Sequence, residues 1–202
     1  FLKLEYEARH GNKAVYRRLL EKLGDYPLTP YAEAQYWQRH LSYKNRNAIS
    51  SFLQQHGFSP FTTALRKKWL NCRANRSYKQ MFIKEYVDIG DARLACLNLR
   101  WRLQQGGGEQ EIFSQVTDLW LAPNSQPRAC DPLFKKWKLA GYLTSDVALQ
   151  RLTLAAKNRN WNLIPYLKTL LDDKDKYLAG LWRSVARRPT NIFKDNLFLF
   201  HN

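Results

Sequence analysis

Few of the positions able to do acid–base, nucleophilic or metal chemistry are brought together by their spacing. The glutamates are Glu5, Glu7, Glu21, Glu33, Glu85, Glu109 and Glu111. The histidines His10, His40, His56 and His201 each lie more than one helical turn from one another and from any cysteine. A zinc-type site would therefore have to be assembled from distant segments, and no metal is expected. Asp172, Asp173 and Asp175 are interleaved with Lys174 and Lys176, without the mid-loop glycine that a calcium loop uses. They read instead as carboxylates at the positive end of a helix. No G-x-S-x-G elbow, G-x-x-x-x-G-K-[ST] phosphate loop or G-x-G-x-x-G turn occurs. Gly106-Gly107-Gly108 lies between two helical patterns and reads as a flexible connection. The sequence thus assigns no catalytic residue, no cofactor-binding residue and no cofactor.

The three cysteines, Cys72, Cys96 and Cys130, show no C-x-x-C spacing, and an odd count allows at most one internal disulfide. In a reducing compartment all three would be small buried apolar residues. In an exported chain Cys96 and Cys130 could bridge two helices, closing a loop that contributes about 3 to 4 kcal/mol in the chain-entropy model.

The elements that must position these groups are helical. Apolar residues recur at helical spacing along nearly the whole chain, and strand alternation is scarce. Leu4, Ala8, Val15, Leu19, Leu20 and Leu23 form one stripe that stops at Gly24, and Ala48, Ile49, Phe52 and Leu53 form another that stops at Gly57. Pro60 opens a helix carrying Leu65, Trp69 and Leu70, and Thr144 or Ser145 caps one holding Val147, Leu149, Leu152 and Ala155. The pattern predicts an all-α array of roughly ten to twelve short antiparallel helices built as helix pairs, part of an α-superhelix (α-solenoid), with no strict repeat period. Trp37, Trp69, Trp101, Trp137, Trp161 and Trp182 lie in or beside apolar stripes and are expected mostly between helices.

At 202 residues, with 45% hydrophobic and 25% charged content, the chain is long enough to bury a core, so disordered and disulfide-scaffold classes are improbable. No stretch approaches the roughly 20 apolar residues of a membrane span. The formal net charge is +16. That excess suits an anionic partner, whether nucleic acid, acidic lipid or a carboxylate-bearing polymer. Arg66-Lys67-Lys68 and Lys135-Lys136 are its compact clusters. The Phe1 start suggests a removed signal peptide or an excised piece, and Leu197-Phe198-Leu199-Phe200 suggests packing on a continuation of the chain.

Two segments are more specific. Leu23-Gly24-Asp25-Tyr26-Pro27-Leu28-Thr29-Pro30-Tyr31 resembles the L-x-D-Y-P-L-x-P-Y element of the soluble lytic transglycosylases. Leu119-Trp120, followed by Ser125-Gln126-Pro127-Arg128-Ala129-Cys130-Asp131-Pro132-Leu133-Phe134 and Trp137, resembles their L-W…S-Q-P-x-A-C-D-x-L-F…W stretch. Order and separation match, and the resemblance covers residues 1 to 160; the remainder fits as generic helical continuation. It implies a periplasmic protein of a Gram-negative bacterium, exported after signal-peptide removal, that acts on peptidoglycan. Members cleave the β-1,4 bond between N-acetylmuramic acid and N-acetylglucosamine, giving a 1,6-anhydromuramoyl product. They carry an N-terminal helical superhelix and a C-terminal lysozyme-like domain with one catalytic glutamate.

That glutamate stands in an E-S motif with G-L-M-Q and A-Y-N-A-G elements downstream. In this chain no Glu is followed by Ser, Met81 is the only Met, and no N-A-G occurs. The resemblance therefore implies that residues 1–202 are the N-terminal portion of the superhelix, without the catalytic domain and inactive alone. It also implies a Cys96–Cys130 disulfide with Cys72 as a buried thiol. The expected partners are peptidoglycan glycan strands and the missing C-terminal domain of the same polypeptide, with no nucleic acid and no membrane span. The competing expectation is a basic helical-repeat module binding nucleic acid or protein.

Overall fold

In the computed structural model, residues 1–75 and 78–193 are described; Leu197–Phe200 and His201 lie outside them. The described chain is 74% helical with no strands. It runs through α1 (Leu2–His10), α2 (Lys13–Leu23), α3 (Thr29–Arg39), α4 (Arg46–Gln55), α5 (Pro60–Asn75), α6 (Lys79–Glu85), α7 (Ala92–Gln104), α8 (Glu109–Trp120), α9 (Asp131–Leu139), α10 (Ser145–Lys157), α11 (Ile164–Lys168) and α12 (Asp173–Arg187). Short 3-10 turns at Tyr43–Asn45, Arg128–Cys130 and Pro189–Phe193 complete it. The fold is the all-α array of short antiparallel helix pairs that the periodicity predicts. Residues 1–98 and 99–202 form two compact units, with the division inside α7.

The stripe from Leu4 to Leu23, read above as continuous, is broken into α1 and α2. The Glu7 carboxylate folds back to accept from the Asn12 backbone N–H at 3.0 Å, and this contact leaves no room for a Cβ at Gly11. Asn12 Oδ1 then accepts from Ala14 N–H at 2.7 Å and caps α2. Gly24 ends α2 at φ +48°, a left-handed conformation that glycine tolerates best.

Within the first unit α1 packs on α2 and α3, and α3 on α5. Leu4, Ala8, Tyr16, Ala32 and Tyr36 form one buried cluster. Ala34, Ile49, Phe52, Leu53, Leu65 and Trp69 form a second, with Trp37 packed against both. A carboxylate fastens α6 to this unit: Trp69 Nε1 donates to Glu85 Oε2 at 2.6 Å and Ser50 Oγ to Glu85 Oε1 at 3.0 Å.

In the second unit α8 packs on α9, and α10 on α11 and α12. Thr144 Oγ1 caps α10 by accepting from Val147 N–H at 3.3 Å. Asp173 and Asp175 fall in the first turn of α12, where the helix dipole favours carboxylates. The glycine triplet joins α7 to α8 as an inter-helix connection.

Candidate functional site

The two segments that stand out in the sequence each border a cleft, one in each unit. In the first unit Tyr26 N–H donates to Leu23 O at 3.1 Å and Thr29 N–H to Tyr26 O at 2.9 Å, turning the chain so that Pro30 enters the first turn of α3. Opposite lie Ala48, Ser51, Phe52 and Gln55, one face of α4, and then His56. The cleft between them, about 460 Å³, is also lined by Glu33 and Trp37, one turn apart on α3. Burial pushes the half-buried Glu33 carboxyl above its ordinary value, and His56 partly opposes the shift. A carboxyl held among ring faces and open to solvent can exchange hydrogen bonds with neutral hydroxyl or amide groups.

In the second unit Cys130 N–H donates to Pro127 O at 2.9 Å, and the short 3-10 turn delivers Asp131 and Pro132 to the start of α9. Most of the remaining motif builds the core. Trp120, Cys130, Leu133 and Trp137 are buried, the two indoles lie 5.4 Å apart, and Trp137 Nε1 donates to Thr117 Oγ1 at 2.9 Å. Beside the indoles opens a cleft of about 520 Å³ that also takes in Gln126, Asp131, Phe134, Lys135, Lys138 and Arg151.

Arg151 is only 4% exposed. Its guanidinium lies 4.4 Å over the Trp120 ring, Nε donates to Ala122 O at 3.1 Å, and Nη2 donates to Asn124 O at 2.9 Å. Burial lowers its proton affinity.

The other groups that the sequence singled out are dispersed. His40 Nδ1 lies 2.8 Å from Tyr36 O, His10 packs on Tyr6, and His56 packs on Phe52. Among the described residues no group of three or more His, Cys, Asp or Glu could hold a metal, and no helix is long and apolar enough to cross a membrane. Arg66 donates to Leu53 O and Gly57 O, and Lys67 pairs with Asp91 at 3.1 Å, so this cluster largely ties the fold together. Cys96 and Cys130 are fully buried and disulfide-bonded, and Cys72 is a free cysteine. Trp69, Trp101, Trp120 and Trp137 are buried, Trp37 and Trp161 are partly so, and Trp182 is 38% exposed.

Sequence reasoning counted Glu33 and His56 only among scattered titratable groups, and it did not single out Arg151. For Arg151 a signal existed: it shares with Ala148, Leu152 and Ala155 the buried face of α10, where an uncompensated cation is unusual.

No protein-family profile matches the chain. In sequence it is 26% identical over 179 residues, 88% of its length, to the soluble lytic murein transglycosylase of Salmonella typhimurium. Identity and coverage are the same for the soluble lytic murein transglycosylase of Escherichia coli K12. The chain spans about a quarter of these relatives, 28% of each. Among solved structures, an inactive mutant of the lytic transglycosylase Slt from Pseudomonas aeruginosa matches 99% of this chain and 32% of its own, with TM-score 0.74 and 31% identity. The 70 kDa soluble lytic transglycosylase of Escherichia coli matches 96% of this chain and 31% of its own, with TM-score 0.68 and 23% identity, and shows the same helical superhelix fold. The chain is thus similar, over nearly all its length, to part of the soluble lytic murein transglycosylases.

Proposed function

We propose that this chain is the N-terminal, non-catalytic part of the helical superhelix of a soluble lytic transglycosylase, working on peptidoglycan in the periplasm. The observation that carries this reading is the likeness of 99% of the chain to about a third of a solved lytic transglycosylase. The sequence beside it has no glutamate in an E-S motif. Cleavage of the MurNAc–GlcNAc bond with a 1,6-anhydromuramoyl product needs a general acid at the glycosidic oxygen. That acid would come from a catalytic domain of the same polypeptide, and this part would hold glycan. The +16 charge complements the carboxylates of stem peptides and muramic lactyl groups, and exposed rings such as Tyr26, Tyr31 and Tyr166 offer faces on which sugars stack. In an oxidising compartment the Cys96–Cys130 pair would be the permanent state of the protein.

Purified sacculi should retain the chain at low salt and release it as salt rises, because exposed charges are screened over about 10 Å at 0.1 M. The turbidity of the suspension should stay constant. Lysis by the chain alone, or no retention at low salt, would overturn the reading. Nucleic acid added to the same suspension should not displace the chain; efficient displacement would favour the basic helical-repeat alternative.

A further inference from the structure

The cleft of the second unit holds a cation that no described residue neutralises. Arg151 is 4% exposed, yet among the described residues it forms no ion pair, although Asp131 lines the same cleft. A buried charge without a counter-ion is unfavourable, and burial already lowers the group's proton affinity. Of its three nitrogens, Nε and Nη2 are bound to the carbonyls of Ala122 and Asn124, while Nη1 has no partner among the described residues, and Arg151 lines the cleft. The indole of Trp120 beneath the guanidinium and the two carbonyls at its edge hold the plane in one orientation. The free Nη1 is therefore oriented before any ligand arrives, which lowers the cost of binding an anion there. Lys135 and Lys138, both exposed and one turn apart on α9, line the same cleft.

We infer that this cleft is a carboxylate-binding site in which Arg151 Nη1 grips the anion, Lys135 and Lys138 draw it in, and the ligand is a peptide carboxylate of peptidoglycan. The identity of the ligand rests on the reading proposed above; the anion site rests on the geometry alone. Three cations face one carboxylate in the cleft, so a neutral sugar would leave the excess uncompensated, whereas an incoming carboxylate relieves it. The floor of Trp120 and Phe134 accepts the small apolar side chain of a peptide residue beside its carboxylate.

The test is calorimetric titration of the full chain with three probes: a disaccharide carrying a tripeptide stem, the free tripeptide, and neutral chitotetraose. Both peptide probes should bind, and amidating the terminal or the side-chain carboxylate in turn identifies which of them is held. Arg151→Lys, which keeps the charge but loses the guanidinium plane that fixes Nη1, should weaken both at least tenfold, the scale of one charge-assisted hydrogen bond. The exposed pair Lys135→Ala/Lys138→Ala should weaken both several-fold and flatten the salt dependence, and it carries the test if Arg151→Lys does not fold. Binding of chitotetraose should be the same in all three proteins. If neither peptide probe binds, or if both bind the folded variants as tightly as the original chain, the site is refuted. A chain retained by sacculi but indifferent to the peptides refutes this site and leaves the glycan reading standing. A chain that binds the peptides through Arg151 but ignores sacculi keeps the site and refutes that reading.

Discussion

Replacing Glu85 by alanine tests whether one carboxylate fastens α6 to the first unit. The side chain accepts two bonds from separate helices, at 2.6 Å from the indole N–H of Trp69 on α5 and at 3.0 Å from the hydroxyl of Ser50 on α4. Trp69 is 2% exposed, so water cannot replace the lost acceptor without opening the unit. A hydrogen bond to a charged group contributes about 1.5 to 3 kcal/mol, and an orphaned buried donor costs about 1 to 3 kcal/mol. Ser50 is part-buried and can recover water, so its share is smaller. Glu85→Ala should therefore destabilise the chain by about 2 to 4 kcal/mol, read as urea unfolding followed by far-ultraviolet circular dichroism. Glu85→Gln keeps an acceptor for the indole and should lose only about 1 kcal/mol, the worth of the charge. Because Trp69 also underlies the Arg73 guanidinium at 3.9 Å, Trp69→Phe alone would mix two losses. A double-mutant cycle separates them. Combining Trp69→Phe with Glu85→Ala should give a coupling of about 1.5 to 3 kcal/mol, and a coupling below about 0.5 kcal/mol would refute the proposed fastening.

Two further outcomes can be checked on the same protein. Thiol titration of the denatured, unreduced chain should find one reactive cysteine, Cys72; three would refute the Cys96–Cys130 pairing, and reducing that pair should cost about 3 to 4 kcal/mol of stability on the chain-entropy model. Glu33 holds its proton more tightly when folded, chiefly because it is buried, so the folded state binds more protons than the unfolded one once pH passes the ordinary 4.5. Stability contributed by the protonated carboxyl is then lost as pH rises through the folded value. Glu33→Gln should match the original chain below pH 4 and be the more stable of the two at pH 7, as measured by urea unfolding at each pH; a variant less stable at pH 7 would show that the carboxylate is held by favourable partners instead.

The helices were legible because amphipathic spacing is written locally, and Gly24, Gly57, Pro60 and Thr144 punctuate it where the structure does. What periodicity could not show was the break at Gly11-Asn12. The apolar positions on its two sides nearly keep phase, so only the local chemistry of glycine and a capping asparagine marks it. Tyr16 also escaped the stripe. It is buried because it stacks on Tyr36 of α3 at 4.1 Å, a partner twenty positions away that no window along α2 contains.

The clefts follow the same logic. Their bordering motifs were visible only as a resemblance, and their chemistry depends on pairings made by the fold. Arg151 is one of 33 lysines and arginines, and by composition it belongs to the solvated surface. The carbonyls that hold it lie 29 and 27 residues upstream, beyond the reach of helical periodicity. A net charge of +16 states only that an anion would be welcome somewhere. Arg66 and Lys67 bind the chain's own carbonyls and Asp91, so they contribute to that total without defining a ligand site. Arg151, buried without a counter-ion among the described residues, contributes one unit to the same total, and the inferred anion site gives that unit a place.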